Sequence, residues 1–271
     1  MDLKSVGVVG AGRMGTPIIG HLVRKGFATR ACDLDSGRAS AVQKLGAQWV
    51  ATPETLAAEC DAILVCVGFD REVRALLAAG GPLRRARRGA VIAILSTVHP
   101  KTVQELARET AAGGLHVVDS AVCRGGEAAD SGTLLSFVGG DRETVERLTP
   151  VLRAYSADVV HTGGVGTAQV AKAANNLILW ACLVADHEGL ALAKHYGADV
   201  EVLRRALLIS SCANGPLEKW GTQTMAWAED DMAIVAEMAA EAGIALPQAQ
   251  VNREVCRALK PQRYKLERYG R

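Results

Sequence analysis

The sequence predicts an α/β chain: a doubly wound, mostly parallel sheet, then a long interdomain helix and a smaller all-α domain. Three observations predict it. Short β-rich runs alternate with helical stretches as far as His161, the pattern of a parallel sheet covered on both faces. A glycine-rich motif, Gly10–Gly15, joins the first strand to the first helix. Beyond the hinge at Thr162–Gly166, β-branched runs almost vanish. The domain limits expected are 1–165 and 166–271.

In order, the candidate strands are Val6–Val9, Ala28–Cys32, Ala62–Val67, Ala90–Leu95, Leu115–Val118, Leu134–Val138 and Asp158–His161. Helical spacing marks Met14–Lys25, Arg71–Ala78, Lys101–Ala111 and Arg142–Tyr155 between them. One apolar helix follows from Thr167 to about His195. The remainder is helical, broken at Gly197, Asn214–Pro216 and Gly243–Pro247.

A chain of 271 residues with 49% hydrophobic residues can bury a large core or two ordinary ones. Its net charge of +2 argues against a nucleic-acid or membrane-surface partner. The dense basic run Arg84, Arg85, Arg87 and Arg88 has no interleaved aromatics for base stacking and reads as a solvated face. Seven cysteines without a Cys-x-x-Cys pair suit a reducing, cytoplasmic compartment. The first strand begins too early for a signal peptide, and every long apolar run is interrupted by polar residues, so no membrane span is expected.

Gly10, Ala11, Gly12, Arg13, Met14 and Gly15 form Gly-x-Gly-x-x-Gly in the strand-to-helix setting that a Rossmann dinucleotide site requires. The first glycine makes the turn, the second admits a pyrophosphate and the third lets helix and strand approach. The helix N-terminus then faces the phosphates. Asp33 ends the second strand about 20 residues on, where an acid accepts from the adenine ribose. With Leu34 and Asp35 following, two carboxylates would repel a 2′-phosphate, so NAD is expected rather than NADP.

Four segments together resemble the β-hydroxyacid dehydrogenases, the group that contains 3-hydroxyisobutyrate dehydrogenase. They are Gly10–Pro17, Ser96–Pro100, Asp119–Leu134 and Gly163–Asn176. The resemblance implies that Lys172 is the catalytic acid–base group. The residues agree: Lys172 and Asn176 share one helix face. A lysine on a buried apolar face loses hydration, which favours its neutral form and suits proton exchange. Asn176 would hold the reacting oxygen or a neighbouring substrate group. The resemblance also implies that Thr97 touches the nicotinamide or its ribose, while Val67 and Gly68 are expected to line the cofactor groove.

The substrate's acid group is expected at Ser120, Cys123, Arg124 and Gly125. Relatives read Asp-x-Pro-Val-Ser-Gly-Gly there, whereas this chain has Ala121 for Pro, Cys123 for Ser and Arg124 for the first Gly. A guanidinium can grip a carboxylate, sulfonate or phosphate bidentately. Arg124 therefore reads either as a clamp for a second or bulkier anion, or as a surface residue paired with Glu127 or Asp130. Relatives carry Lys-Asp-Leu near the cofactor, and here Asp230, Asp231 and Met232 stand in its place. An anion replaces a cation, and the interval from Lys172 is shorter than in the family.

The function expected is an NAD-dependent oxidoreductase acting on a small, anionic β-hydroxy acid or its semialdehyde or sulfonate analogue. An imine reductase shares the architecture but usually lacks the lysine, and a non-catalytic nucleotide-binding scaffold would have lost it. No metal site is expected. The family commonly dimerises through the helical domain, and the apolar run Leu177–Leu192 agrees, because a helix apolar all round must be buried. Trp180, Trp220 and Trp227 read as core or interface.

Overall fold

A computed structural model describes residues 3–222 and 224–268. The chain divides into two compact units, Met1–Lys172 and Ala173–Arg271.

The first unit contains β1 (Ser5–Val9), α1 (Gly15–Arg24), β2 (Ala28–Cys32), α2 (Ala39–Lys44), β3 (Gln48–Trp49), α3 (Pro53–Glu59), β4 (Ala62–Val65), α4 (Asp70–Leu77), β5 (Val91–Ile94) and α5 (Pro100–Ala111). It continues with β6 (His116–Asp119), β7 (Val122–Cys123), α6 (Gly125–Ser131), β8 (Leu134–Gly139), α7 (Arg142–Leu152), β9 (Ser156–Gly163) and the first residues of α8 (Thr167–His195). Nine strands form one sheet in the order β3-β2-β1-β4-β5-β6-β8-β7, with β9 on β8. β8 runs antiparallel to β6 and β7 and carries β9 parallel to itself, and the other pairings are parallel, so the sheet is mostly parallel as predicted.

Both faces are covered. Val6, Val8, Leu64 and Ala93 point into a core with Ile18, Ile19 and Leu22 of α1 and Leu148, Val151 and Leu152 of α7. Val9, Ile63, Val65, Ile92 and Ile94 point the other way, against Leu56, Val73, Leu77, Val103 and Leu106 of α3, α4 and α5. Two-sided burial explains why these strands read as continuous apolar runs. The two-residue strands β3 and β7 and the short helices α2, α3 and α6 are too short to show periodicity in the sequence.

The second unit contains the rest of α8, then α9 (Val200–Leu207), α10 (Gly215–Glu218), α11 (Ala228–Ala242) and α12 (Pro247–Leu259). Trp180, Leu183 and Val184 pack with Met225, Met232, Val235, Cys256 and Leu259. The buried His187 lies among the rings of Trp220 and Tyr264, and its Nε2 accepts from the Tyr264 N–H at 3.0 Å. Trp180 is therefore core, whereas Trp227 is half exposed.

Among the described residues α8 is the one helix long and apolar enough to cross a bilayer by length and composition. Lys172, Asn176, Asp186 and His187 interrupt it. The expectation that α8 is buried all round is not met within one chain: Ile178 is 62% and Leu192 61% exposed.

Candidate active site

The glycine-rich loop has the geometry its sequence requires. Gly10 adopts φ +99°, and its N–H donates to the Cys32 carbonyl at 2.9 Å. A Cβ on Gly10 would overlap the Cys66 carbonyl, and one on Gly15 would overlap the Gly10 carbonyl, so α1 starts flush against β1. A Cβ on Gly12 would meet only Arg38 Nη1, at 3.5 Å. That open side leaves room for a phosphate to approach the backbone. Met14 is partly buried on the first core and Arg13 turns outward. Arg13 makes a two-pronged ion pair with Asp130 of α6, at 2.7 and 2.6 Å.

Asp33 is locked to this loop. Oδ2 accepts from Ala11 N–H at 2.7 Å and Oδ1 from Asp35 N–H at 2.9 Å. Arg38 lies over the same group, 3.6 Å from Asp33 and 3.4 Å from Asp35, and donates to the Ala11 carbonyl at 2.8 Å. The sequence reading missed Arg38, which lies five residues past Asp33 and is brought back by the turn at Ser36–Arg38.

The carboxyl ends of β4, β5 and β6 lie side by side, where open α/β sheets bind ligands. Ser96 is buried; its Oγ accepts from Val67 N–H at 3.0 Å and donates to the Val67 carbonyl at 2.8 Å. Gly68 N–H donates to Glu72 Oε2 at 2.8 Å. Thr97, next to Ser96, is half-buried. Burial pushes the nearby Cys66 thiol up to about 12, with a smaller push from the Asp33 charge, so it is no nucleophile at neutral pH.

Lys172 is half-buried rather than enclosed. Its Nζ donates to the Val122 carbonyl at 2.9 Å and lies 3.8 Å from Cys123 Sγ. The structure thus brings Lys172 to the 119–126 segment, fifty residues earlier in the chain. Cys123 lines this junction.

The structure also places two further side chains of that segment. Ser120 is fully buried, with its hydroxyl beside the enclosed Tyr155 phenol. Arg124 does not stand free as an anion clamp. Its guanidinium donates to Asp158 at 2.6 Å and to the Thr133 carbonyl at 3.1 Å. Arg124 also occupies φ +84°, a conformation that favours the glycine relatives have there. Gly125 follows at φ +78° and opens α6.

In the second unit Asn176 is 3% exposed and its Oδ1 accepts from Asn175 Nδ2 at 3.0 Å. Asp230 is exposed on the first turn of α11, and Asp231 beside it accepts from Trp180 Nε1 at 3.0 Å. No group of three metal-ligating side chains occurs among the described residues.

The NAD binding domain of 6-phosphogluconate dehydrogenase matches residues 5–164, and the NAD-binding domain of NADP-dependent 3-hydroxyisobutyrate dehydrogenase matches 166–267. The chain is 30% identical over 207 residues to 2-(hydroxymethyl)glutarate dehydrogenase of Eubacterium barkeri, covering 76% of this chain and 69% of that protein. It is also 30% identical over 207 residues to mitochondrial 3-hydroxyisobutyrate dehydrogenase of Homo sapiens, covering 76% of this chain but 62% of the human protein's length. The structure of Mycobacterium tuberculosis 3-hydroxyisobutyrate dehydrogenase with L-serine superposes with a TM-score of 0.87 at 22% identity, over 97% of this chain and 95% of that one.

Proposed function

The chain belongs to the β-hydroxyacid dehydrogenase family of nicotinamide-dependent oxidoreductases, and from that premise we propose that it interconverts a small β-hydroxy acid and its semialdehyde, with NAD as cofactor and Lys172 as general acid–base group. The observation that carries this reading is the meeting of Lys172 Nζ with the 122–123 backbone and the Cys123 thiol.

Gly10, Ala11, Gly12 and Gly15 would hold the pyrophosphate, Asp33 the adenine ribose, and Val67, Gly68 and Thr97 would line the nicotinamide side. Bound NAD supplies the hydride acceptor for oxidation and, reduced, the donor for reduction. In oxidation the neutral Lys172 amine takes the proton from the substrate hydroxyl. In reduction the Lys172 ammonium returns it to the carbonyl oxygen. The bond to the Val122 carbonyl restrains Nζ, and the longer approach to Cys123 Sγ leaves a position on Nζ for the substrate oxygen. Asn176, one turn on, would donate from Nδ2 to the same oxygen. With Ser120 enclosed and Arg124 tied to Asp158, the substrate's acid group would rest against Cys123 and the Gly125 backbone.

NAD is favoured over NADP because Asp33 and Asp35 outnumber Arg38. The exposed apolar residues of α8, with Ile178 and Leu192 most open, support a homodimer that covers them. Seven free cysteines support a reducing compartment. The test is a spectrophotometric screen of hydroxy acids, diols, sulfonates and cyclic imines with NAD and NADP, with Lys172→Ala as control. The reading requires turnover of a hydroxy acid and a loss of about 10²- to 10⁴-fold in kcat for the variant. Undiminished turnover in Lys172→Ala would refute the mechanism.

A further inference from the structure

The first turn of α8 is tied down by a buried polar network that reaches both halves of the proposed site. Asp119 ends β6 and is fully buried. One of its oxygens accepts from Gly166 N–H at 2.8 Å and the other from Gln169 N–H at 2.9 Å. The helix N-terminus thus compensates the buried carboxylate, as free N–H groups at such a terminus can. Gly139 on β8 makes room for it, since a Cβ there would overlap the carboxylate.

Gln169 is 1% exposed, and both ends of its side-chain amide are used. Nε2 donates to the Ser96 carbonyl at 2.8 Å, and Oε1 accepts from Val98 N–H at 3.1 Å. These two bonds bracket Thr97. Ser96 in turn holds Val67 through its hydroxyl. Lys172 follows Gln169 by one helical turn, so the two side chains share a face. Starting a helix requires its N–H groups to be satisfied. It does not require a buried amide to clamp a loop some seventy residues earlier in the chain.

We propose that Gln169, held through its own N–H by Asp119, is a positioning residue that sets the Ser96–Val98 loop at a fixed distance from Lys172. It acts through the residues on either side of it: Thr97, which lines the nicotinamide's place, and Lys172, which exchanges the proton. The proposal rests on the reading of Lys172 and Thr97 given above.

The experiment compares wild type, Gln169→Leu, Gln169→Glu and Lys172→Ala. It follows kcat, NADH affinity by fluorescence titration and the emission of the bound nicotinamide. For Gln169→Leu, folded by circular dichroism, kcat falls on the order of 10²-fold, as for a misplacement of about 1 Å. NADH affinity changes by less than about threefold, because the adenosine end at Gly10–Asp33 is untouched. The emission enhancement of the bound nicotinamide diminishes as its surroundings loosen. A kcat within about twofold of wild type, or an affinity loss as large as the kcat loss, overturns the proposal.

If Gln169→Leu does not fold, Gln169→Glu decides. A protonated carboxyl reproduces the donor to Ser96 and an ionised one does not. Its activity in the reductive direction, relative to wild type, therefore falls as pH rises through the carboxyl's pKa. A ratio that does not vary with pH overturns the clamp. Failure of the parent reading looks different: Lys172→Ala would then keep wild-type turnover, while the nicotinamide emission of the Gln169 variants would still report on the loop.

Discussion

Replacing Asp33 by alanine should move the cofactor preference from NAD towards NADP. Asp33, Asp35 and Arg38 form a cluster with a net charge of about −1, in which Arg38 lies 3.6 and 3.4 Å from the two carboxylates. A 2′-phosphate at this site carries about −1.5 charges near neutral pH. Removing one negative charge at about 6 Å changes its energy by about 1 kcal/mol at an effective dielectric of 80 and about 4 kcal/mol at 20. NADP should therefore gain roughly 5- to 10³-fold in kcat/KM. NAD should lose roughly 10- to 10²-fold, because charge-assisted bonds to the ribose disappear.

Part of the NAD loss comes from the loop itself, since Ala11 N–H loses its acceptor. A gain in NADP activity cannot come from such damage, which makes it the diagnostic quantity. The assay is initial-rate kinetics with both cofactors on wild type, Asp33→Ala and Asp33→Ala/Arg38→Ala. The double variant should lose the NADP gain. An NADP-to-NAD ratio unchanged in Asp33→Ala would refute the assignment of Asp33 to the adenine ribose.

Further outcomes follow from packing and charge. Gly15→Ala places a methyl on the Gly10 carbonyl, so urea unfolding should show a loss of about 1–3 kcal/mol, with weakened NADH binding. Asp61 accepts from the N–H groups of Lys4 and Ser5 and from the Ser5 hydroxyl, and Arg87 donates to its other oxygen at 3.0 Å. Partial burial opposes its charge, but these bonds outweigh burial and hold the carboxyl below its usual 3.8. Its stabilising effect is complete above that value and lost as pH falls through the lower folded value. The stability gap between wild type and Asp61→Asn should therefore be about 1–2 kcal/mol at pH 7 and should close in acid. Ile178→Glu should shift the chain to monomer in light scattering, and an unchanged mass would exclude that α8 face as the dimer contact.

The parts of the site that lie within one strand–turn–helix unit were legible in the sequence. Gly10–Gly15 and Asp33 could be placed because their contacts span few residues and glycine spacing reports backbone geometry directly. Lys172 could be placed on its helix, but its partners could not. They lie about fifty residues away, on a two-residue strand with no periodic signature. Arg38 carried no sequence signal because a turn, not a motif, returns it to Asp33. Arg124 is open in the sequence to several partners, and nothing local points to Asp158, 34 residues on. Its pairing depends on β9 lying beside β8 in one particular register, Leu135 opposite Asp158.

By itself the sequence determined the fold class, the dinucleotide loop and the helix that carries the lysine, since each follows from local spacing and the alternation of apolar runs. Only the tertiary structure decided that Ser120 is sealed, that Arg124 is tied to Asp158, and that Asp119 and Gln169 bind the first turn of α8 to the ends of β5 and β6. Those are long-range pairings of buried polar groups. Their cost when unpaired forces them into definite partnerships, but nothing in the linear pattern names the partner.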